Sequence, residues 1–378
     1  MRIGYPCLCK TLNLTTSNTT RLKSVTPEKI KQKLEHNLKH LKQILKFNSE
    51  HRLLFFRIGS EFVPFASHSK VRDPQFTESF NWREHFKNEL AEIGQLVKTY
   101  GMRISMHPDQ FVLLNSPDEE IFEKSLQELQ YHADLMDAMQ LDTTHKFQIH
   151  LGGRYDDKRK SMQRFVDRYN TRLSTSIKAR LVLENDDHIY SLEDVLWVHE
   201  QCGIPILLDT LHHECLNTSG ESLEKAFLKA AATWKAERDG PPMIDYSDQE
   251  PNSRVGKHRS SIKVQHFRKI ICQRLMKCKD PNKDQWIDFD VMLEIKDKDL
   301  SAKKVLSIFE KGIEERENFK DNDSHEQEEE SNDQNEDHPS QKEEDQDETT
   351  VTKKKQGNSS SQKRKEPTYK KPASKKRK

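Results

Sequence analysis

Six short apolar runs end in an imidazole or a carboxylate: His107 in RISMHPDQ, His150 in KFQIHLGG, Glu184 in RLVLEND, Asp209 and His212 in PILLDTLHH, Asp245 in PMIDYS, and Glu294 in DVMLEIK. Imidazole plus carboxylate without thiolate suits Mn, Zn or Fe rather than a structural, Cys-rich zinc site. Two or three divalent ions held this way activate water at neutral pH and stabilise the leaving oxygen of an in-line displacement. Phosphodiester hydrolysis is the reaction that suits such a set best, although sugar isomerisation on a dimetal barrel uses much the same ligand types.

One histidine at the end of a strand is more often a hydrogen-bonded surface or core residue than a ligand. Several, each following its own apolar run, reverse that expectation. Glu184 stands in an apolar context, LVLEN, where an unpaired carboxylate would be costly, which favours a metal ion or a proton-sharing partner. Asp209 and His212 are three residues apart, a spacing that lets a strand-end carboxylate and a loop imidazole hold one ion, while His213 points elsewhere. Asp245 and His258 bracket a loop whose RVGKHR segment is basic and fits phosphate contact. Lys296 lies two residues beyond Glu294 and so on the same strand face, serving either an ion pair or a phosphate.

These residues need a scaffold that brings distant segments together. Eight strands are expected at 2–7, 53–60, 103–109, 146–153, 179–186, 205–213, 242–247 and 288–296, bounded by turn signals. Helical patterns separate them. In EKIKQKLEHNLKHLKQILKFN, residues Ile30, Leu34, Leu38, Leu41 and Ile44 recur at spacings of three and four; FKNELAEIGQLVKTYG ends at Gly101, a C-cap candidate; SLEDVLWVHEQCG begins at Ser191, an N-cap candidate. SMQRFVDRYNTRL, SLEKAFLKAAATWK and VQHFRKIICQRLM read as further helices. Strict alternation over about 310 residues predicts a TIM (β/α)8 barrel, whose strand ends converge on one face. A doubly wound open sheet is disfavoured because no Gly-rich phosphate loop follows the first strand and polar residues end most strands. The stretches from Gly59 to Trp82 and from Ser247 to Ser261 are expected as loops over that face.

Only 33% of the residues are hydrophobic, but this understates the core because the C-terminal part is almost purely polar. The boundaries expected are 1–313 for the barrel and 314–378 for a disordered charged tail. The net charge of +1 hides an asymmetry: 321–348 is acidic apart from Lys342, and 353–378 is basic apart from Glu366. The basic end is expected to add salt-sensitive, sequence-independent affinity for DNA, or else to act as a solubilising tail. Six cysteines show no repeated C-x-x-C pair, and Cys7 and Cys9 read as small core residues. No leader opens the chain and no apolar run approaches a membrane span, so a cytoplasmic protein with reduced thiols is expected, without a membrane partner.

At these residues the chain closely resembles the UV damage endonucleases, relatives of endonuclease IV. The matching blocks are GYPC with NLT at 13–15, FRIGS-x-x-VPFASH ending at His68, MHPDQF at 106–111, IHLGG at 149–153, LENDD at 183–187, LDTLHH at 208–213 and MLEIK at 292–296. The resemblance implies a metal-dependent DNA repair endonuclease that nicks damaged double-stranded DNA immediately 5′ to cyclobutane pyrimidine dimers, 6-4 photoproducts and, in many members, abasic sites. It implies a three-metal site with Mn2+ foremost, Zn2+ or Mg2+ as alternatives, in a bacterial-type monomer associated with the nucleoid when acting. By position, His107, His150, Glu184, Asp209, His212, His258 and Glu294 match metal ligands, and Asp245 stands at a further ligand position. Glu184, Glu294, His68 and Lys296 take the catalytic roles. Tyr5, Asn13, Gln110 and Phe111 match residues that probe the lesion. One departure stands out. Many members carry Lys-x-His on the seventh strand, with the lysine modified to a carbamate; here Met243 and Asp245 replace that pair. A sugar isomerase or epimerase, and a damaged-DNA-binding protein without catalysis, are the rival readings.

Overall fold

Every apolar run singled out in the sequence forms a β-strand, and all eight lie parallel in one closed barrel: β1 Ile3–Pro6, β2 Phe55–Ile58, β3 Arg103–Met106, β4 Lys146–His150, β5 Leu181–Glu184, β6 Ile206–Asp209, β7 Met243–Tyr246 and β8 Asp290–Leu293. Each strand pairs with its neighbours in sequence, and β8 closes on β1 through Ile3 opposite Val291. The fold is therefore the (β/α)8 barrel that strand–helix alternation predicts. The structure, a computed structural model, describes residues 1–155 and 157–333, with side chains as far as residue 318. Gly4 permits the tight approach of β1 to β2, since an added Cβ would meet the Phe55 carbonyl oxygen at 1.5 Å.

Side chains alternate between the two faces of each strand. The outward set, including Tyr5, Phe56, Ile104, Phe147, Leu183, Leu208, Tyr246 and Leu293, packs with the surrounding helices in one core. Among these helices, Pro27–Glu50 buries Ile30, Leu34, Leu38, Leu41 and Ile44 as their spacing predicts, and Thr26 caps it. Lys87–Thr99 ends before Gly101, whose φ of +62° an ordinary side chain would resist. Leu192–Cys202 starts at Ser191, whose backbone N–H donates to Asp194 Oδ2 at 2.8 Å.

The inward set forms three tiers. Nearest the N-terminal ends, Arg103 pairs with Asp290 at 3.0 Å and Lys146 with Asp239 at 2.6 Å. Above them Phe55, Val182, Leu207, Met243 and Met292 form an apolar tier, joined by Trp234. The top tier is polar again, with Arg57, Gln148, Glu184, Asp209 and Asp245, all buried. The register lines these up across neighbouring strands: His150 lies opposite Glu184, and Asp245 opposite both Asp209 and Met292.

Three features differ from the sequence expectation. The stretch from Gly59 to Trp82 is not open loop but a series of short helices, Ser69–Arg72 capped by His68 and Pro74–Ser79 capped by Asp73, because each begins at a side chain able to accept a backbone N–H. The crossover before β8 starts as a helix at Val264–Phe267, then turns through a wider π segment, Arg268–Cys272. Residue 313 falls inside a helix, Asp299–Asp333, whose first turns bury Ala302, Val305 and Phe309 against the barrel. The chain divides into units Met1–Ser324 and His325–Lys378, and the tail beyond 333 lies outside the described residues. Truncating the apolar tier by Leu207→Ala is expected to cost ~2–5 kcal/mol in urea unfolding. The exposed Leu300→Ala should cost less than about 0.5 kcal/mol, and equal losses would contradict the tier's role.

Candidate metal centre

Glu184, the last residue of β5, is the hub of the barrel mouth. Its side chain is 1% exposed. Oε2 lies 3.2 Å from His107 Nε2 and 3.8 Å from His150 Nε2, and Oε1 lies 3.3 Å from His212 Nδ1. Gln148 Nε2 donates to Oε2 at 2.7 Å. The imidazoles form an arc, with ring centres 5.4 Å apart from His107 to His150, 5.5 Å from His150 to His212 and 5.9 Å from His212 to His258.

Local structure explains the placement of the second half of this arc. Asp209 ends β6 and caps the short helix Thr210–Cys215, Oδ1 accepting from the His212 backbone N–H at 2.8 Å. One helical turn then places the His212 ring beside the carboxylate that caps it. Asn185 clamps the junction, its Oδ1 accepting from Asp209 N at 2.9 Å and its carbonyl lying 3.0 Å from His212 Nδ1. His258 arrives on the loop after β7, where Gln249 and His258 bridge the loop's two sides, and its Nδ1 is 3.2 Å from Glu294 Oε2.

The electrostatics are those of a site built for cations. Burial opposes charge on Glu184, yet His150, His107 and His212 outweigh it and hold the carboxyl well below its usual range. Burial likewise opposes a proton on His212, but Asp209 and Glu184 raise that imidazole to about 11. Glu294 drops to about 2 against its own burial because Arg57 and His258 are close. Asp209 shifts upward, through burial first and then through Glu184 and Glu294. Ligand atoms of His107, His150 and Glu184 lie within 4.8 Å of one another, as do those of Asp209, His212 and His258, and of Glu184, Asp209 and Asp245. Asp209 Oδ2 and His150 Nδ1 are buried without a hydrogen-bond partner. Divalent ions fit these donors, and would displace the proton that Asp209 and Glu184 otherwise keep on His212.

Two residues at the centre escaped the sequence reading. Arg57 is buried in β2, its Nη2 donating to Asp245 Oδ1 and Oδ2 at 2.8 and 2.7 Å and its Nη1 to Glu294 Oε1. Gln148 links Arg57, Glu184 and Asp245. The signal was present, as a lone cation within FFRIG and a lone amide within KFQIH, but neither is a common ligand type. Burial and the carboxylates around it push Asp245 upward, with Arg57 opposing.

The remaining candidates divide. Asn13, Gln110 and Phe111 are exposed on loops at the mouth, Phe111 at 74%. Lys296 is exposed on the rim. His68 is half-buried, packs edge-on against Phe65 and accepts from Lys70 N through Nδ1 at 3.1 Å; it is not among the clustered ligand atoms. Tyr5 requires correction as a lesion-probing residue: odd positions of β1 face the helices, so its ring is fully buried against Phe56 and its hydroxyl donates to Asn48 Oδ1 at 2.6 Å. His213 is buried outside the cluster. Met243 lies in the apolar tier below it.

A cleft of about 590 Å3 leads to His107, His258 and Glu294 between Arg254, Lys257, Lys296 and Lys298. A larger cavity, about 900 Å3, is lined by Arg2, Trp234, Pro241 and Trp286 and has no imidazole in its wall.

The chain is similar to known proteins over most of its length. Residues 2–321 match the family UV-endonuclease UvdE. The UV DNA damage endonuclease of Clostridium perfringens (strain 13 / Type A) is 34% identical over 81% of this chain and 70% of its own length. The UV DNA damage endonuclease of Halalkalibacterium halodurans is 30% identical over 80% of this chain and 92% of its own. The crystal structure of SacUVDE superposes with a TM-score of 0.73 at 39% identity, covering 82% of this chain and 98% of that one. If the cluster binds divalent ions, Mn2+ at about a hundredfold above its Kd should stabilise the metal-free protein by about 2.7 kcal/mol. A thermal scan with and without chelator measures this, and an unchanged midpoint would contradict the fit.

Proposed function

The chain belongs to the UV-endonuclease UvdE family, and from that premise we propose that it nicks DNA immediately 5′ to cyclobutane pyrimidine dimers and 6-4 photoproducts, and at abasic sites, as a divalent-metal enzyme with Mn2+ foremost. The observation that carries this reading is the Glu184 hub, which gathers three imidazoles at the inner end of a cationic cleft. When bound, the ions supply an activated water and a counter-charge for the leaving oxygen.

The protein's own residues do the rest. Glu184, at the end of β5, and Glu294, just past β8 with its N–H bonded to the Tyr246 carbonyl, hold the ligand set at fixed separation. Lys296, with Arg254, Lys257 and Lys298 on the same rim, neutralises and orients the phosphate. His68, on the loop after β2, lies beyond the cluster's ligand atoms, so its contribution is to the flanking backbone. Phe111, exposed beside Gln110, provides a face to fill the space left by extruded bases. Damaged bases stack poorly and cost less to extrude, so selectivity comes from deformability rather than base reading. A sugar isomerase would gain little from four cationic side chains around its opening, and this rim favours a polyanion. The basic part of the tail adds general DNA affinity, and the enzyme acts as a cytoplasmic monomer on the nucleoid. No helix among the described residues is long and apolar enough to cross a membrane.

A labelled duplex carrying one pyrimidine dimer tests this reading. Glu184→Gln and Glu294→Gln are expected to abolish nicking while lesion binding persists, and near-normal nicking by either folded variant would sink the assignment. Phe111→Ala should weaken binding to the lesion by about 1–3 kcal/mol, the range for loss of one aromatic stacking contact, with little change for undamaged duplex.

A further inference from the structure

We propose that Arg57 is a built-in cation standing where a third divalent ion would otherwise sit, so that the centre takes two ions per chain and Asp245 is not a ligand. This deepens the reading of the cluster as a metal centre and rests on it.

The geometry of Asp245 is the first ground. Both its oxygens accept from Arg57 Nη2, at 2.8 and 2.7 Å, and Oδ2 also accepts from Gln148 Nε2 at 2.6 Å. Its direct side-chain hydrogen-bond partners are both donors, although Glu184 and Asp209 also bring carboxylate oxygens within 4.8 Å. Arg57 Nη1 reaches Glu294 Oε1 and Nη2 reaches Gln148 Oε1 at 2.8 Å, so the guanidinium is held by three strands besides its own. Its backbone is equally fixed, the carbonyl accepting from Cys7 N at 2.7 Å. A guanidinium does not deprotonate at working pH. A divalent ion on Asp245 would therefore have to share a buried carboxylate with a permanent positive charge a few ångströms away.

The remaining donors are the second ground. They separate into one set of His107, His150 and Glu184 and another of Asp209, His212 and His258. Glu184 touches both sets, because Oε2 faces His107 and Oε1 faces His212. Glu294 Oε2, left free by Arg57, faces His258 in the second set. The third possible set, Glu184, Asp209 and Asp245, reuses two carboxylates already committed to the others, and its one additional member is the partner of Arg57.

Elemental analysis of the Mn2+-loaded full chain, after removal of free ion, tests this without an activity assay. The expected content is two ions per chain, unchanged in Asp245→Asn and in Arg57→Lys, which keeps the cation. Arg57→Met should admit a third ion between the freed Asp245 and Glu294. Three ions in the unaltered protein, or loss of one ion in Asp245→Asn, would overturn the inference while leaving the metal centre intact. No bound ion at all would remove the metal reading itself. Should Arg57→Met fail to fold, the count in Asp245→Asn still decides.

Discussion

Four carboxylates, Glu184, Asp209, Asp245 and Glu294, approach one another at the top of a closed barrel, and this concentration of negative charge is the condition to which the rest of the mouth responds. Two like charges about 4 Å apart repel by roughly 4 kcal/mol even at an effective dielectric of 20. Each carboxylate accordingly has cationic company. Glu184 faces three imidazoles, Asp209 faces His212, and Asp245 and Glu294 share Arg57. The elevated His212 imidazole has the same origin, as a proton retained because negative charge needs it.

The barrel makes such crowding tolerable by separating its polar layers. An apolar tier of Phe55, Val182, Leu207, Met243 and Met292 isolates the mouth from the ion pairs at the opposite end, so neither network can relax by pairing with the other. Strand backbones fix the direction of Arg57, Gln148, Glu184 and Asp209, because rotating any of them outward would shift a whole strand by one residue. Rigid placement of this kind is what a metal centre requires of its ligands. Groups available for substrate lie instead on loops: Asn13, Gln110, Phe111 and the basic segment before His258. The clustered carboxylates sit on strands or at their ends, while His212 and His258 come from the helix after β6 and the loop after β7.

This division also explains what the sequence disclosed. The eight strands were legible because parallel strands buried on both faces are continuous apolar runs, and the strand-end candidates were legible because each closes such a run with a charge or an imidazole, as His258 in its basic loop does not. Arg57 and Gln148 interrupt their runs, but residue type alone does not reveal that a side chain will pair with Asp245 across the barrel. Tyr5 shows the opposite error. Its block matched the family, yet strand parity sends it toward the helix Pro27–Glu50 and not into the mouth. The π segment at Arg268–Cys272 carries no glycine or proline to mark it, and the helix that continues through residue 313 still packs Ile313 against the core before its sequence turns wholly polar.

The seventh strand brings these threads together. A lysine at position 243, modified to a carbamate as in the resembling enzymes, would add a fifth anion to the top tier and so call for more cation there. Met243 removes that anion and completes the apolar tier, its side chain packing with Phe55, Leu207 and Met292. Two residues further on, Asp245 occupies the next inward position, where its carboxylate meets Arg57. An imidazole there would be repelled by the guanidinium once protonated, whereas a carboxylate is held by it. Met243 and Asp245 are thus complementary: Met243 completes the apolar tier, and Asp245 sets the strand's carboxylate beside a cation already fixed in place.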